Sequence, residues 1–243
     1  MKANIAEIFT SIQGEGLLVG TRQLFVRFSG CNLHCSYCDT PASRQPCSLG
    51  LIHNELNSMN RVRKIHNPIF SRQLLQIIGE FTVPWISFTG GEPLLAAEFL
   101  AQVTQQTKMM GYKNLLETNG TLFAELEKCL WYIDMISIDF KLPSATGRDF
   151  WEEHLEFLFR AYSRPCYVKV VITPETRHEE VDKAVNIIAS VNPAIPLFLQ
   201  PVTVSPGKRA TDMKTVLSYQ TRALNTLHEV RVLPQIHTYL GLP

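Results

Sequence analysis

Short apolar runs recur along this chain at the spacing of strand–helix units, and most of them end in a polar motif. Residues 24–28 (LFVRF) lead into SGC, 85–88 (WISF) into TGGEP, 113–117 into ETNG, 135–139 (MISID) into DFKLPS and 197–200 into QPVT. Further strands are expected at 3–9, 167–172 and 230–233. Between these runs lie helix-like stretches at 71–81, with Ser71 as candidate cap, at 96–110, closed by Gly111, and at 123–130, 149–162, 179–190 and 211–229. In 179–190, Val181, Ala184, Val185 and Ile188 recur at helical spacing. Strand–helix alternation implies crossover connections and hence parallel strands. The expected fold is α/β, a partial (β/α)6 barrel of parallel strands in a single domain over residues 1–243. Residues 41–70, with Pro41, Pro46, Pro68 and the basic run RVRK at 61–64, are expected to be an irregular insertion whose charges face solvent. Parallel α/β folds gather their chemistry at the carboxyl ends of strands. Five polar motifs on that one rim point to a single site.

Residues 29–40, SGCNLHCSYCDT, hold Cys31, Cys35 and Cys38 at CxxxCxxC spacing. Iron–sulfur cubanes are usually held by four thiolates. Three on one short loop would leave one iron open to a bound molecule. The alternative is zinc on the same cysteines with His34 as fourth ligand, but His34 is awkwardly placed between two of the cysteines and no second CxxC pair follows. The paired glycines of Thr89-Gly90-Gly91-Glu92-Pro93 suit a βα turn, which leaves Glu92 unexplained, or a close approach of backbone to a ligand. Glu117 at a strand end is suited to ribose hydroxyls, or to a cap or salt bridge. Ser137 and Asp139 share one face of their strand, with Ile136 and Ile138 on the other. Lys141 is placed to neutralise Asp139. Cys129 and Cys166 look like core residues, and Cys47 is ambiguous.

A net charge of +1 over 243 residues gives no bulk attraction to nucleic acid or anionic membranes. The polar N-terminus does not resemble a signal peptide, and no apolar stretch approaches the roughly 20 residues of a membrane span. Six cysteines are too sparse for a disulfide scaffold, and reduced thiols suit a cytoplasmic protein.

CxxxCx(aromatic)C, with Tyr37 as the aromatic, followed by GGEP, resembles the radical S-adenosylmethionine superfamily. FTSIQGEG at 9–16, Arg27, Cys38-Asp39-Thr40, TGGEP, ETNG, DFKLPS and the QIH near the end together resemble the 7-carboxy-7-deazaguanine synthase family. The resemblance implies a lyase that contracts 6-carboxy-5,6,7,8-tetrahydropterin in 7-deazapurine and queuosine biosynthesis. It implies a 4Fe-4S cluster on Cys31, Cys35 and Cys38, and S-adenosylmethionine held by Tyr37, Cys38, Asp39, Gly91, Glu92, Glu117, Ser137, Ile138 and Asp139. It implies Mg²⁺ at Thr40 and substrate at Ile12, Gln13, Gly14, Arg27, Thr89 and the Pro243 carboxylate, with Gln235 and His237 nearby. The reacting radical would come from the cofactor, so no catalytic side chain is expected. A flavodoxin-like electron donor and a homodimer are also implied. Each placement has a rationale: Arg27 offers a planar fork for a carboxylate, Gln13 offers donors and acceptors to a pterin edge, Glu15 can accept its amino groups, and Thr40 is a hard oxygen donor. The segment after Thr40 has no counterpart in the resemblance. Two other classes compete: a glycyl-radical-activating enzyme working on a protein partner, and a cluster- or zinc-binding scaffold.

Overall fold

The computed structural model describes residues 1–54, 61–203 and 210–242. The strands are β1 (Lys2–Ala3), β2 (Ile5–Ile12), β3 (Arg22–Phe28), β4 (Leu49–Asn54), β5 (Arg61–His66), β6 (Ile69–Phe70), β7 (Trp85–Gly90), β8 (Lys113–Thr118), β9 (Met135–Asp139), β10 (Cys166–Ile172), β11 (Leu197–Pro201) and β12 (Val230–Val232). The helices are α1 (Ser71–Ile78), α2 (Ala97–Met109), α3 (Phe123–Leu126), α4 (Pro143–Thr146), α5 (Trp151–Ala161), α6 (His178–Val191), α7 (Met213–Ala223) and α8 (Ile236–Tyr239). A 10-stranded sheet runs in the order β12-β11-β10-β9-β8-β7-β3-β2-β4-β5. β3 and β7 through β12 are parallel, as the alternation of strands and helices requires.

Strand alternation divides the sheet chemically. One set of side chains, including Phe88, Leu116, Ile138, Val168, Val170 and Leu199, is fully buried in the core. That core also takes Phe99, Leu100 and Val103 of α2, Phe157 and Leu158 of α5, Ala184 and Ile188 of α6 and Val216 of α7. The alternate positions near the carboxyl ends are polar and line a cavity: Arg27, Glu117, Ser137, Asp139, Lys169 and Gln200. Register sets them side by side, with Glu117 opposite Ser137 and Asp139 opposite Lys169.

Three local expectations are corrected. The first strand extends through Ile12 and pairs antiparallel with β3, so the turn between them begins at Gln13 and closes through Gln13 N–H to Thr21 C=O (2.8 Å) and Gly20 N–H to Gln13 C=O (2.8 Å). Residues 41–70 are not irregular throughout. After a 3₁₀ turn at Pro41–Arg44, β4 joins β2 in parallel, β5 returns antiparallel to β4, and β6 pairs with β1. Gly50 permits the junction, because a Cβ there would lie 2.2 Å from the Ile5 carbonyl oxygen. Val62, Arg63 and Lys64 are exposed on β5 at the end of the sheet order, where charges discourage further strand pairing. Finally, Ser71 is not a cap. It is the first residue of α1, and the Gln73 side chain accepts the Phe70 N–H instead (2.8 Å).

Candidate active site

The loop after β3 carries the three cysteines, and backbone bonds hold its shape. Gly30 N–H donates to Ser43 C=O (2.8 Å), Cys31 N–H to Arg44 C=O (2.9 Å), Ser36 N–H to Ala145 C=O (2.9 Å) and Glu92 N–H to Gly30 C=O (2.8 Å). Buried Leu33 anchors the loop in the protein, and an Arg44 guanidinium nitrogen donates to Cys35 C=O (2.8 Å). All three cysteines are half-buried and line the cavity, whereas His34 is exposed and does not. Among the described residues no set of three His, Cys, Asp or Glu side chains converges as it would on one metal ion. The exposed His34, off the cavity, is not placed as the fourth ligand of a zinc site on these cysteines. Burial pushes the Cys31 and Cys35 thiols up, so thiolates there call for a cationic partner.

The end of β7 is built around its glycines. Gly90 has φ +83, and a Cβ on it would sit 2.1 Å from Arg27 Cγ; one on Gly91 would sit 2.0 Å from the Gly30 carbonyl oxygen. Both glycines line the cavity, but Glu92 does not. Its buried carboxylate accepts from Leu94 N–H (3.0 Å), Thr118 Oγ1 (2.8 Å) and Asn119 N–H (2.8 Å), stapling the end of β7 to that of β8. Burial pushes the Glu92 carboxyl up to about 7 against the pull of these donors. Ile138, also expected at the cofactor, has its side chain in the core. Glu117 faces the cavity and accepts from Ser87 Oγ (2.5 Å), Gln13 Nε2 (2.9 Å) and Thr89 Oγ1 (3.3 Å). Asp139 pairs with Lys141 (2.6 Å), as the sequence suggests, yet its buried Oδ1 has no protein partner. Such an orphan acceptor beside a cavity fits a ligand donor. Lys141 also lies 5.3 Å from the centre of the Tyr37 ring, a cation–π distance.

The turn after β2 forms another part of the lining. Glu15 is buried; its carboxylate pairs with Lys169 and accepts from Gln200 Nε2 (3.1 Å) and Gln235 Nε2 (2.8 Å). Burial alone would raise its pKa, but the Lys169 ammonium holds it at about 2. Ile236 N–H donates to Gly14 C=O (3.0 Å), and a Cβ on Gly14 would lie 2.1 Å from His237 Nδ1. Thus Gln235 and His237 line the cavity together with Ile12, Gln13, Gly14 and Glu15. Arg27, Tyr37, Cys38, Asp39, Thr40 and Thr89 line it too. Arg27 is also held by Glu7 (2.8 Å). Pro243 lies outside the described residues.

Sequence reasoning missed Lys169 and His154, and found Gln200 only as the start of the rim motif QPVT, with no role assigned. In YVKVVI the lysine alternates into the cavity on an otherwise apolar strand, and that break in the pattern was the available signal. His154 of α5 is fully buried, stacks on Phe140 (4.3 Å between ring centres), accepts from Lys141 N–H at Nε2 (2.9 Å) and meets Gly120 C=O at Nδ1 (3.1 Å). Burial lowers its pKa to about 4, so the neutral ring donates from Nδ1 and ties the ends of β8 and β9 together. Cys47 does not line the cavity; it contacts Ser29 Oγ and Asn67.

A parallel sheet opening at its carboxyl rim on three cysteine sulfurs, a double-glycine turn and an orphan carboxylate oxygen defines a radical S-adenosylmethionine enzyme. Residues 12–148 match the family model described as a 4Fe-4S single cluster domain. The structure is similar in fold to QueE from Escherichia coli, with TM-score 0.66 at 22% identity, covering 98% of this chain and 95% of that one. The chain is 38% identical to 7-carboxy-7-deazaguanine synthase of Geobacter sulfurreducens over 98% of this chain and 97% of that protein. It is 36% identical to the Archaeoglobus fulgidus protein of the same name over the full length of both. The chain belongs to the 7-carboxy-7-deazaguanine synthase family. The alternative of an enzyme acting on a protein backbone is not favoured. No helix among the described residues is long and apolar enough to cross a membrane.

Proposed function

We propose that this chain converts 6-carboxy-5,6,7,8-tetrahydropterin to 7-carboxy-7-deazaguanine, with ring contraction and loss of ammonia, on the route to queuosine or another 7-deazapurine. The observation that carries this reading is the meeting, in one cavity, of the cysteine loop with the QGE turn and the Gln235–His237 segment. When bound, the cluster and S-adenosylmethionine supply one-electron reduction and hydrogen-atom abstraction at C6 of the pterin. Cys31, Cys35 and Cys38 would hold the cluster.

The chain's own work is positioning and exclusion of water. Tyr37, Cys38, Asp39 and the backbone of Gly91 bind the nucleoside-bearing cofactor, with Glu117, Ser137 and Asp139 orienting its sugar and base. Arg27 takes the substrate carboxylate, freed from water in a half-buried site where a guanidinium fork binds strongly. Ile12, Gln13, Gly14 and Thr89 flank the pterin, and Glu15 accepts its N–H groups. Thr40 would hold Mg²⁺ together with water and the substrate carboxylate; Mg²⁺ keeps much of its hydration shell, so one protein oxygen suffices. The Pro243 carboxylate belongs to the substrate side in this reading. One domain over residues 1–243, a homodimer, a flavodoxin-like electron donor and a cytoplasmic setting complete it.

The test is turnover. Anaerobically reconstituted protein with the carboxypterin, S-adenosylmethionine and dithionite is expected to form the 7-deazaguanine acid, faster with Mg²⁺ than without. Cofactor cleavage with no deazaguanine product would remove the substrate assignment.

A further inference from the structure

Lys169 is a buried cation on the floor of the cavity that no motif accounts for. It stands on β10 directly opposite Asp139 of β9, and its Nζ lies 3.4 Å from Asp139 Oδ2. The same ammonium is bound more closely by Glu15 Oε2. The turn carrying Glu15 is seated on the same strand. Gly16 has φ +63 and packs so tightly on the Tyr167 ring that a Cβ would lie 2.2 Å from it. Tyr167 and Lys169 point to one side of β10 and pin the turn at two points.

The acceptor inventory of Glu15 shows what is left over. A carboxylate has about four lone-pair sites. Gln200 and Gln235 fill Oε1, and Lys169 takes one site on Oε2. One site on Oε2 remains, on a carboxylate that lines the cavity. Without Lys169 the buried anion would have only amide donors, and burial would favour its protonated form, which donates where a pterin also donates.

We propose that Lys169 is the positioning residue for pterin recognition: it holds the Glu15 carboxylate ready to receive N–H groups of the pyrimidine edge, leaving Asp139 and Lys141 to serve the nucleoside side. This rests on the pterin reading above. Asp139 has Lys141 as its nearer partner, at 2.6 Å against 3.4 Å to Lys169, so loss of Lys169 is expected to fall on the pterin more than on the cofactor. The groups facing Glu15 are Lys169 and Tyr167 from β10, Asp139 from β9, Gln200 from β11, and Gln235 and His237 from the C-terminal segment. His237 and Asp139 are present in wild type and in every variant, so an acid limb that appears in Lys169→Met and is absent from Glu15→Gln/Lys169→Met belongs to Glu15.

The experiment is anaerobic calorimetry on the cluster-loaded protein, titrated with the carboxypterin and separately with S-adenosylmethionine. Lys169→Met is expected to weaken pterin binding by about 30-fold or more, with a further loss between about pH 8 and about pH 6 that wild type lacks. Cofactor affinity should stay within about threefold, and Glu15→Gln/Lys169→Met should bind no worse than Glu15→Gln alone. Lys169→Arg should recover most of the affinity; if Lys169→Met does not fold, the arginine variant and Glu15→Gln carry the comparison, and an arginine variant as weak as Glu15→Gln overturns the proposal. Pterin affinity of Lys169→Met within about threefold of wild type at both pH values, or effects of the two substitutions that simply add, also overturns it. Wild-type protein that binds the cofactor and not the carboxypterin overturns the substrate reading and this inference with it.

Discussion

The lining of the cavity is made in two ways. The cysteine loop is shaped by main-chain hydrogen bonds, through Gly30, Cys31, Ser36 and Glu92, and leaves its sulfurs to whatever binds. Around Glu15 the bonds run between side chains, and the carboxylate is already matched by an ammonium and two amides. The first region therefore needs its ligand to be complete, and its substitutions should change loading more than folding. The second is part of the folded protein's own electrostatics, and its substitutions should reach stability directly.

The largest expected effect breaks the first region alone. Alanine at Cys31, Cys35 or Cys38 should abolish cluster incorporation, read as iron and sulfide content and visible absorption after anaerobic reconstitution, while the melting of the unloaded protein stays near wild type. Next, Glu15→Ala should leave loading intact but destabilise the fold by about 3 kcal/mol, because Lys169 is left buried without its closest partner; chemical denaturation measures this, and an unchanged midpoint would erase the contrast between the regions.

Titration sharpens the comparison further. Glu92 has its folded pKa raised from 4.5 to about 7, so the folded state binds the extra proton and stability falls as pH rises through that window. His154 has its folded pKa lowered from 6.5 to about 4, so stability is lost as pH falls through 6.5 towards 4. The two act in opposite directions over nearly the same range, each worth about 3 kcal/mol. Glu92→Gln should therefore unmask a rise of stability with pH between those limits, and His154→Gln a fall, where wild type is nearly flat.

A smaller effect is expected at Gly91→Ala, whose Cβ would press on the Gly30 carbonyl oxygen. Displacing the loop by a fraction of an ångström should slow turnover about 100-fold. Least of all, Arg63→Ala on the edge strand, which breaks an exposed pair with Glu80, should cost less than about 1 kcal/mol in a thermal melt and leave turnover unchanged.

The same division decides what could be read from the sequence. The cysteine loop, the double glycine and the polar strand ends are local patterns, and the structure brings them to one rim. Glu15 depends on Lys169, Gln200 and Gln235, partners that lie 154, 185 and 220 positions away, and nothing local announces such pairings. Lys169 showed only as a break in an otherwise apolar strand, a signal that names no partner, and His154 was hidden because a buried neutral histidine looks like any polar residue on an amphipathic helix. β5 was missed because its run of charges reads as loop, whereas an edge strand favours charge; β4, LGLIHN, was passed over in a segment that Pro41, Pro46 and Pro68 made look irregular.

The hydrogen bond from Ile236 to Gly14 has a practical corollary. The segment at 235–237 clasps the bend at Gly14 that lines the cavity, so a peptide handle or fused carrier added beyond it is expected to disturb the pocket. A purification handle belongs at the other end, ahead of the exposed Met1, and activity lost in a tail-fused preparation is better repaired by moving the handle than by changing the assay.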